Sequence, residues 1–165
     1  MKNAFFPGSF DPPTHGHLNI IERAAKIFEK LYVVVAVNDS KQSLFSTDER
    51  LDLIRQLTAH LPNVETVAWH GLVVDFVDRY SVPLMIRGVR ALADFGYEFE
   101  LAMTNKSLNK NIEVIFFPTD PQFFVLRSSA IKEIASYGGD ISAMVPSVVV
   151  EALKRKLIPV DKSGK

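Results

Sequence analysis

Short apolar runs alternate with longer amphipathic segments along the chain. Residues 31–37 (LYVVVAV) form a continuous, mostly β-branched run, which is typical of a strand buried on both faces. Similar short runs predict strands over residues 3–6, 64–69, 82–86 and 111–117. The pattern therefore predicts five strands.

The segments between these runs carry their apolar residues at helical spacing. Ser46 precedes Glu49 at the spacing of a capping box, so a helix is expected to begin directly after Ser46. Ser128 and Ser129 are expected to cap a helix that runs through Ser136. The remaining helices are predicted over residues 16–30, 72–80, 91–109 and 146–157.

Strands that alternate with helices require right-handed crossovers and a mostly parallel sheet. We therefore predict a doubly wound α/β fold, with a Rossmann-like, five-stranded parallel sheet and helices on both faces. A chain of 165 residues has the size of one ordinary domain. Residues 1–157 are expected to form that domain, and residues 158–165 to form a mobile tail. Ligands of such folds bind beyond the carboxyl ends of the strands.

Composition narrows the classes of function. The formal net charge is zero, which argues against a nucleic-acid partner, because such proteins usually carry a clustered basic excess. The sequence has no cysteine, which excludes disulfides and cysteine-based zinc sites and fits a reducing compartment. The N-terminal apolar run ends at Pro7 and is too short for a signal peptide or a membrane span. A cytoplasmic protein without a membrane partner is expected.

The segment after the first predicted strand, residues 7–17 (PGSFDPPTHGH), is the first candidate for chemistry. It leads into a helix N-terminus, where unpaired backbone N–H groups and the helix dipole favour an anion. Ser9, Thr14 and His17 could add hydrogen-bond donors for phosphate oxygens. A turn with purely structural capping residues is the simpler alternative. A metal pair of His15 and His17 lacks further ligands nearby, and the dinucleotide fingerprint G-x-G-x-x-G is absent.

The tetrapeptide Thr14-His15-Gly16-His17 resembles the T/H-x-G-H signature of the nucleotidyltransferases, and residues 7–17 as a whole resemble the phosphopantetheine adenylyltransferase family. Later segments resemble motifs of that family in the same order: residues 39–41 (DSK), 45–50 (FSTDER), 86–90 (IRGVR), 93–98 (ADFGYE) and 128–133 (SSAIKE). The resemblance spans residues 3–157. It implies transfer of AMP from ATP to 4′-phosphopantetheine, which gives dephospho-coenzyme A and pyrophosphate.

The resemblance also implies roles for single residues. The expected catalytic residues are His17, Lys41 and Arg90, and of these His17 is expected to stabilise the transition state. The residues expected to bind ATP are Ser9, Phe10, His17, Gly88, Val89, Arg90, Glu98, Phe123, Phe124, Val125, Leu126, Arg127, Ser128 and Ser129. The residues expected to bind the acceptor are Ser9, Lys41, Val73 and Arg87.

Some of these side chains have simpler interpretations. Lys41 could be a solvated lysine, and Arg87 and Arg90 could form ion pairs with Asp94 or Glu98.

Three residues depart from the family pattern, namely Gln42, Gly96 and Arg127. Gln42 stands where the family often has a second lysine, and Gly96 replaces an expected acidic residue. Arg127 replaces a serine, and its extra cation could either tighten phosphate binding or clash with Arg90.

Mg²⁺ is expected to arrive with ATP, bound through phosphate oxygens and water, so no dedicated metal site is predicted. Asp11 is instead expected to brace the loop. The resemblance implies a homohexamer and makes coenzyme A a candidate product-like inhibitor. Two other functions stay open: nucleotidyl transfer to nicotinate mononucleotide or a polyol phosphate, and non-catalytic nucleotide binding.

Overall fold

A computed structural model describes residues 2–38, 40, 42–124 and 127–157 of the chain. The predictions made for Lys41, Val125, Leu126 and the tail at 158–165 lie outside the described residues.

Five parallel strands form one sheet, as predicted. The strands are β1 (Ala4–Gly8), β2 (Leu31–Val37), β3 (Val64–His70), β4 (Leu84–Val89) and β5 (Glu113–Pro118). Their order across the sheet is β3-β2-β1-β4-β5. The chain therefore winds in one direction from β1 to β3 and in the other from β4 to β5, and the order reverses beside β1. That reversal is where doubly wound sheets bind ligands.

The helices connect and cover these strands. They are α1 (His15–Ala25), α2 (Thr47–Thr58), α3 (Asp75–Tyr80), α4 (Leu92–Leu108), α5 (Ser128–Ser136) and α6 (Ser147–Leu157), with a short 3₁₀ helix at Pro121–Phe123. Among the described residues, no helix has both the length and the apolar character needed to cross a bilayer.

Strands β1 and β2, in the interior of the sheet, are buried on both faces, which explains their continuous apolar runs. Successive strand residues point to opposite faces, so that neighbouring side chains belong to different clusters. The cluster under α1 and α2 includes Phe6, Ile21, Val33, Val35 and Ile54. The cluster under α3 includes Phe5, Val34, Phe76, Val77 and Met85. A third cluster packs α5 and α6 against Phe45 and Leu53 of the α2 region.

The predicted helix bounds agree with the structure at some positions and differ at others. The Ser46–Glu49 capping box is present, and α2 begins at Thr47 as predicted. Helix α1 ends at Ala25, well before the predicted end at residue 30. The amide of Asn63 donates to the carbonyl oxygens of Ala25 and Phe28, at 2.8 and 3.0 Å, and so satisfies groups left open where the helix stops.

The strands that border the site extend further than predicted. Strand β1 continues through Pro7 and Gly8, which pair with Val34 and Val35 of β2. Strand β4 starts two residues later than expected and runs to Val89. Residues 87–89 therefore belong to the strand and pair with residues 116–118 of β5, whereas a loop was expected from Arg87 onward.

Candidate active site

A cavity of about 500 Å³ opens at the carboxyl ends of β1 and β4, beside the reversal of strand order. Ligand pockets typically have this size. Several residues with predicted ATP or acceptor roles line it, namely Ser9, His17, Arg87, Gly88, Arg90, Glu98, Phe123, Arg127, Ser128 and Ser129. Residues scattered over 120 positions of sequence thus come together in one place.

Four predicted site residues in the described part of the chain lie outside the cavity lining: Phe10, Val73, Val89 and Phe124. The Phe10 side chain is fully buried beneath the loop. The carbonyl of Val73 accepts a hydrogen bond from the Phe76 N–H at 3.2 Å, and that of Val89 accepts from the Thr119 N–H at 2.9 Å. The Phe124 side chain is half exposed at the end of the 3₁₀ helix.

His17 is fixed at the start of α1 by a reciprocal capping box with Thr14. The Thr14 backbone N–H donates to Nδ1 of His17 at 3.0 Å, and the His17 N–H donates to Oγ1 of Thr14 at 3.2 Å. Because a backbone N–H can only donate, Nδ1 must be unprotonated, and the neutral ring carries its proton on Nε2. The ring therefore retains one donor beyond the capping box.

The electrostatic surroundings keep this ring neutral. Burial, followed by the positive charges of Arg90 and Arg87, lowers the pKa of His17 from 6.5 to about 4. At neutral pH the imidazole is therefore a neutral hydrogen-bond donor, and it adds no full charge to the cavity.

The guanidinium of Arg87 is held at three points. Its Nε and Nη2 donate to the two carboxylate oxygens of Glu98, at 2.6 and 2.8 Å, and its Nη1 donates to the Pro7 carbonyl at 3.3 Å. Such a two-point pair fixes the plane of the guanidinium. The ion pair considered from the sequence is thus present, and it links β4 to the first turns of α4.

Asp94 lies between two further arginines. Nε of Arg90 donates to it at 2.9 Å, and Nη2 of Arg127 lies 3.7 Å from its other oxygen. The carboxylate separates the two cations, so that Arg127 is accommodated beside Arg90 without a clash. The ion pair of Arg90 with Asp94 was considered from the sequence, since a spacing of four residues is a recognisable ion-pair signal. The contact of the same carboxylate with Arg127 was missed.

Ser128 corrects a prediction about the start of α5. Arg127 is the N-cap residue of that helix and has no side-chain capping bond, whereas Ser128 is the first helical residue. The Ser128 hydroxyl donates to the carbonyl of Pro12 at 2.9 Å and so ties α5 to the β1–α1 loop. The N-terminal end of α5 borders the cavity through Ser128 and Ser129, which gives it the N–H groups and dipole that favour an anion.

Asp11 braces the loop, in agreement with its expected role. Its carboxylate accepts from the N–H groups of Leu44 and Phe45, both at 2.9 Å, and from the ammonium of Lys132 at 2.8 Å. Burial alone would raise the pKa of Asp11, but Lys132 and the two N–H groups outweigh it and lower that pKa. Asp11 therefore joins the loop, the α2 approach and α5.

His15 and His17 form no metal centre with acidic side chains of the described residues. Within the described ranges, no group of three or more histidine, aspartate or glutamate side chains is arranged around a common point. The His15 ring stacks on Phe123, with ring centroids 6.2 Å apart, while His17 lines the cavity.

The cavity is thus suited to a polyanion. It offers a neutral imidazole donor, the N-terminal ends of α1 and α5, and three guanidinium groups whose charge is partly balanced by two carboxylates. Such an arrangement can bind a polyphosphate and stabilise charge that develops on a phosphoryl group.

Comparison with known proteins agrees with this chemistry. A model of the cytidylyltransferase-like family matches residues 5–134. The chain is 45% identical over 157 residues to phosphopantetheine adenylyltransferase of Streptomyces coelicolor, a match that covers 95% of this chain and 98% of that protein. It is also 45% identical over 156 residues to phosphopantetheine adenylyltransferase of Caldanaerobacter subterraneus, with 94% and 98% covered.

The fold is similar to that of a solved structure, nicotinic acid mononucleotide adenylyltransferase of Plasmodium falciparum. The TM-score is 0.66, the match covers 92% of this chain and 94% of that chain, and the sequences are 13% identical. At this identity the similarity supports the doubly wound fold and carries no further argument about the substrate.

Proposed function

Because the chain belongs to the phosphopantetheine adenylyltransferase family, we propose that it transfers the adenylyl group of ATP to 4′-phosphopantetheine. The observation that carries the proposal is the cavity at the strand reversal, where the neutral His17 ring, Arg87 and Arg90 meet the start of α5. The products are dephospho-coenzyme A and pyrophosphate.

The proposed reaction is a direct, in-line displacement. A phosphate oxygen of the acceptor attacks the α-phosphorus of ATP, a new P–O bond forms, and the bond to the β-phosphate oxygen breaks as pyrophosphate leaves. The attacking phosphate is already anionic, so the reaction requires no strong base and no covalent enzyme intermediate. The protein contributes positioning and charge stabilisation.

His17 has the properties that this role requires. Its neutral ring retains the Nε2–H donor, and the capping box with Thr14 fixes its orientation before substrate binds. We assign this donor to the oxygens of the α-phosphate, where negative charge develops in the transition state. Arg90 and the start of α5 are assigned to the ATP phosphates, and Arg87 and Lys41 to the acceptor phosphate.

Mg²⁺ is proposed to enter with ATP. The carboxylates that line the cavity, Asp94 and Glu98, are bound to arginines, which fits a cation held by phosphate oxygens and water. The bound cation would supply further neutralisation of the phosphate charge. We also propose a cytoplasmic location.

A homohexamer is proposed from the family resemblance, and the outer surface of α4 is proposed as a subunit contact. Leu92, Phe95, Phe99 and Met103 follow one another at helical spacing, and each exposes between 39% and 86% of its surface. An apolar stripe of this kind usually marks a contact surface. Sedimentation equilibrium should give a hexamer, and the substitution Phe99→Glu should reduce the assembly, whereas a monomeric wild-type chain would contradict the proposal.

The activity is tested by incubating the protein with MgATP and each candidate acceptor while pyrophosphate release is measured. Release with 4′-phosphopantetheine, and much less with nicotinate mononucleotide or a polyol phosphate, is expected. Release with nicotinate mononucleotide alone would overturn the assignment of the acceptor. ATP binding without turnover on any acceptor would overturn the catalytic assignment. Adding coenzyme A to the same assay tests its proposed action as a product-like inhibitor.

A further inference from the structure

Arg50 is a buried charged residue at the start of α2, and only 4% of its surface is exposed. Its guanidinium donates through Nη1 to the Ser9 carbonyl at 2.9 Å, through Nη2 to Oγ1 of Thr47 at 3.1 Å, and through Nε to the Ser46 carbonyl at 3.4 Å. No carboxylate in the described part of the chain forms an ion pair with it. A buried arginine without a counterion is unusual, because desolvation of the charge is costly.

The bond to Ser9 fixes one side of a strained peptide. Phe10, the next residue, has φ = +48°, a left-handed backbone conformation that a bulky side chain rarely adopts. Such a conformation persists where neighbouring contacts over-determine it. Arg50 provides one of these contacts on the N-terminal side of Phe10, and Asp11 provides the others on its C-terminal side through Leu44 and Phe45.

The strained conformation places the Phe10 ring against His17. The two rings meet edge to face, with centroids 5.0 Å apart and planes at 69°. The Phe10 ring also packs edge to face on Phe6, at 5.6 Å, and approaches Gly8 so closely that an added Cβ would lie 3.0 Å from it. A shift of the Ser9–Phe10 peptide would therefore move a ring that contacts the imidazole.

We propose that Arg50 is a positioning residue for nucleotidyl transfer. By holding the Ser9 carbonyl it keeps Phe10 beneath the His17 ring, and so keeps the Nε2–H donor of His17 aimed at the reacting phosphate. The inference rests on the proposed function. It extends the set of residues that control the reaction to Arg50, which does not line the cavity.

The test compares Arg50→Met with Arg55→Met. Arg55 lies on the same helix, is exposed, and pairs with Asp52 at 3.1 Å, so its replacement controls for the loss of a positive charge from α2. Arg50→Met should lower kcat about 100-fold, as expected for a small misplacement of a catalytic group, while the KM for MgATP changes less than about threefold. Arg55→Met should leave kcat and KM unchanged.

A second measurement reports on His17 without any substrate. The chain has four histidines, and the ring signals of His17 can be assigned in NMR spectra by comparison with His17→Gln. Arg50→Met should shift these signals and leave those of His60, which pairs with Glu22 at 3.3 Å on the surface, in place. This readout stays valid if the proposed reaction fails, because it concerns the apo protein.

Arg50→Lys covers the case in which Arg50→Met does not fold. Lysine keeps the charge and can reach the Ser9 carbonyl with one donor, so about a 10-fold loss of kcat and a smaller shift of the His17 signals are expected. Unchanged kcat, or unchanged His17 signals in a folded variant with reduced activity, would overturn the proposal. Absence of turnover in the wild type would instead overturn the proposed function.

Discussion

The two walls of the cavity are built on different principles. On one wall, residues 7–17 present neutral groups that are fixed by neighbours close in sequence, as in the bonds between Thr14 and His17. On the other wall, β4 and α4 present charges held by ion pairs, with Arg87 bound to Glu98 and Arg90 bound to Asp94. The first wall is organised by backbone geometry, and the second by electrostatics.

This difference suggests a division of labour. A capping box and a ring packed against Phe10 change little when a ligand enters, so the first wall can supply an accurately placed donor. In an arginine–carboxylate pair, the guanidinium can exchange a hydrogen bond to the carboxylate for one to a phosphate, because the oxygens of both groups match the spacing of its N–H donors. The arginines of the second wall can therefore neutralise the phosphates of a bound substrate. When no substrate is bound, the carboxylates balance their charge.

The largest expected effect is that of His17→Ala. We expect kcat to fall about 1000-fold, because removal of one fixed donor to transition-state charge typically costs this much, while the Kd of ATP changes far less. Pyrophosphate release and calorimetric ATP binding measure the two quantities. His15→Ala is the matched control, since that ring stacks on Phe123. Equal losses in kcat and in ATP affinity would mean that His17 only binds.

Arg87→Gln tests the charged wall. We expect kcat/KM for the acceptor to fall about 100-fold, because the variant loses a fixed cation and leaves Glu98 without its partner. The double variant Arg87→Gln with Glu98→Gln should regain thermal stability, since no charge remains unpaired, but should not regain activity. Arg79→Gln, which changes an exposed arginine on α3, is the control. A double variant as active as the wild type would show that the pair is purely structural.

Local sequence signals predicted much of the fold. The run at residues 31–37 gave the bounds of β2, and the Ser46–Glu49 capping box gave the start of α2. The end of strand β4 was misjudged because Gly88 is a poor strand former. Pairing with Phe116 and Phe117 overrides that preference, and such pairing depends on the tertiary structure.

The site was predicted where its motifs resemble those of a family, and missed where it depends on packing. The ion pair of Arg87 with Glu98 was considered from the sequence, but its two-point geometry was not, because that geometry depends on the direction in which α4 leaves β4. The sequence gives only a weak indication that Arg50 is buried, namely that it lies on the same helical face as Ile54 and Leu57. Sequence spacing alone does not distinguish such a buried arginine from a surface residue.

Gly88→Ala tests how closely β4 approaches α1. A Cβ at this position would lie 2.4 Å from Cδ1 of Ile20, whose side chain is 98% buried and has little room to move. We expect the free energy of unfolding to fall by about 2 kcal/mol. Ile20→Val removes Cδ1, so the double variant should be more stable than Gly88→Ala alone. Additive losses in urea unfolding would contradict this contact.

The smallest effect concerns the pKa of His17, which links the two walls. Burial is the largest cause that lowers this pKa to about 4, and the charges of Arg90 and then Arg87 lower it further. Arg90→Gln should therefore raise the pKa, but should leave it below the ordinary value of 6.5, because burial remains. Bound ATP should raise it as well, since its phosphates oppose the arginine charges. NMR titration between pH 3 and pH 8 measures both shifts, with Arg55→Gln as the control for a distant positive charge. If Arg90→Gln leaves the pKa unchanged, the charged wall does not act on the neutral one, and the two walls work independently.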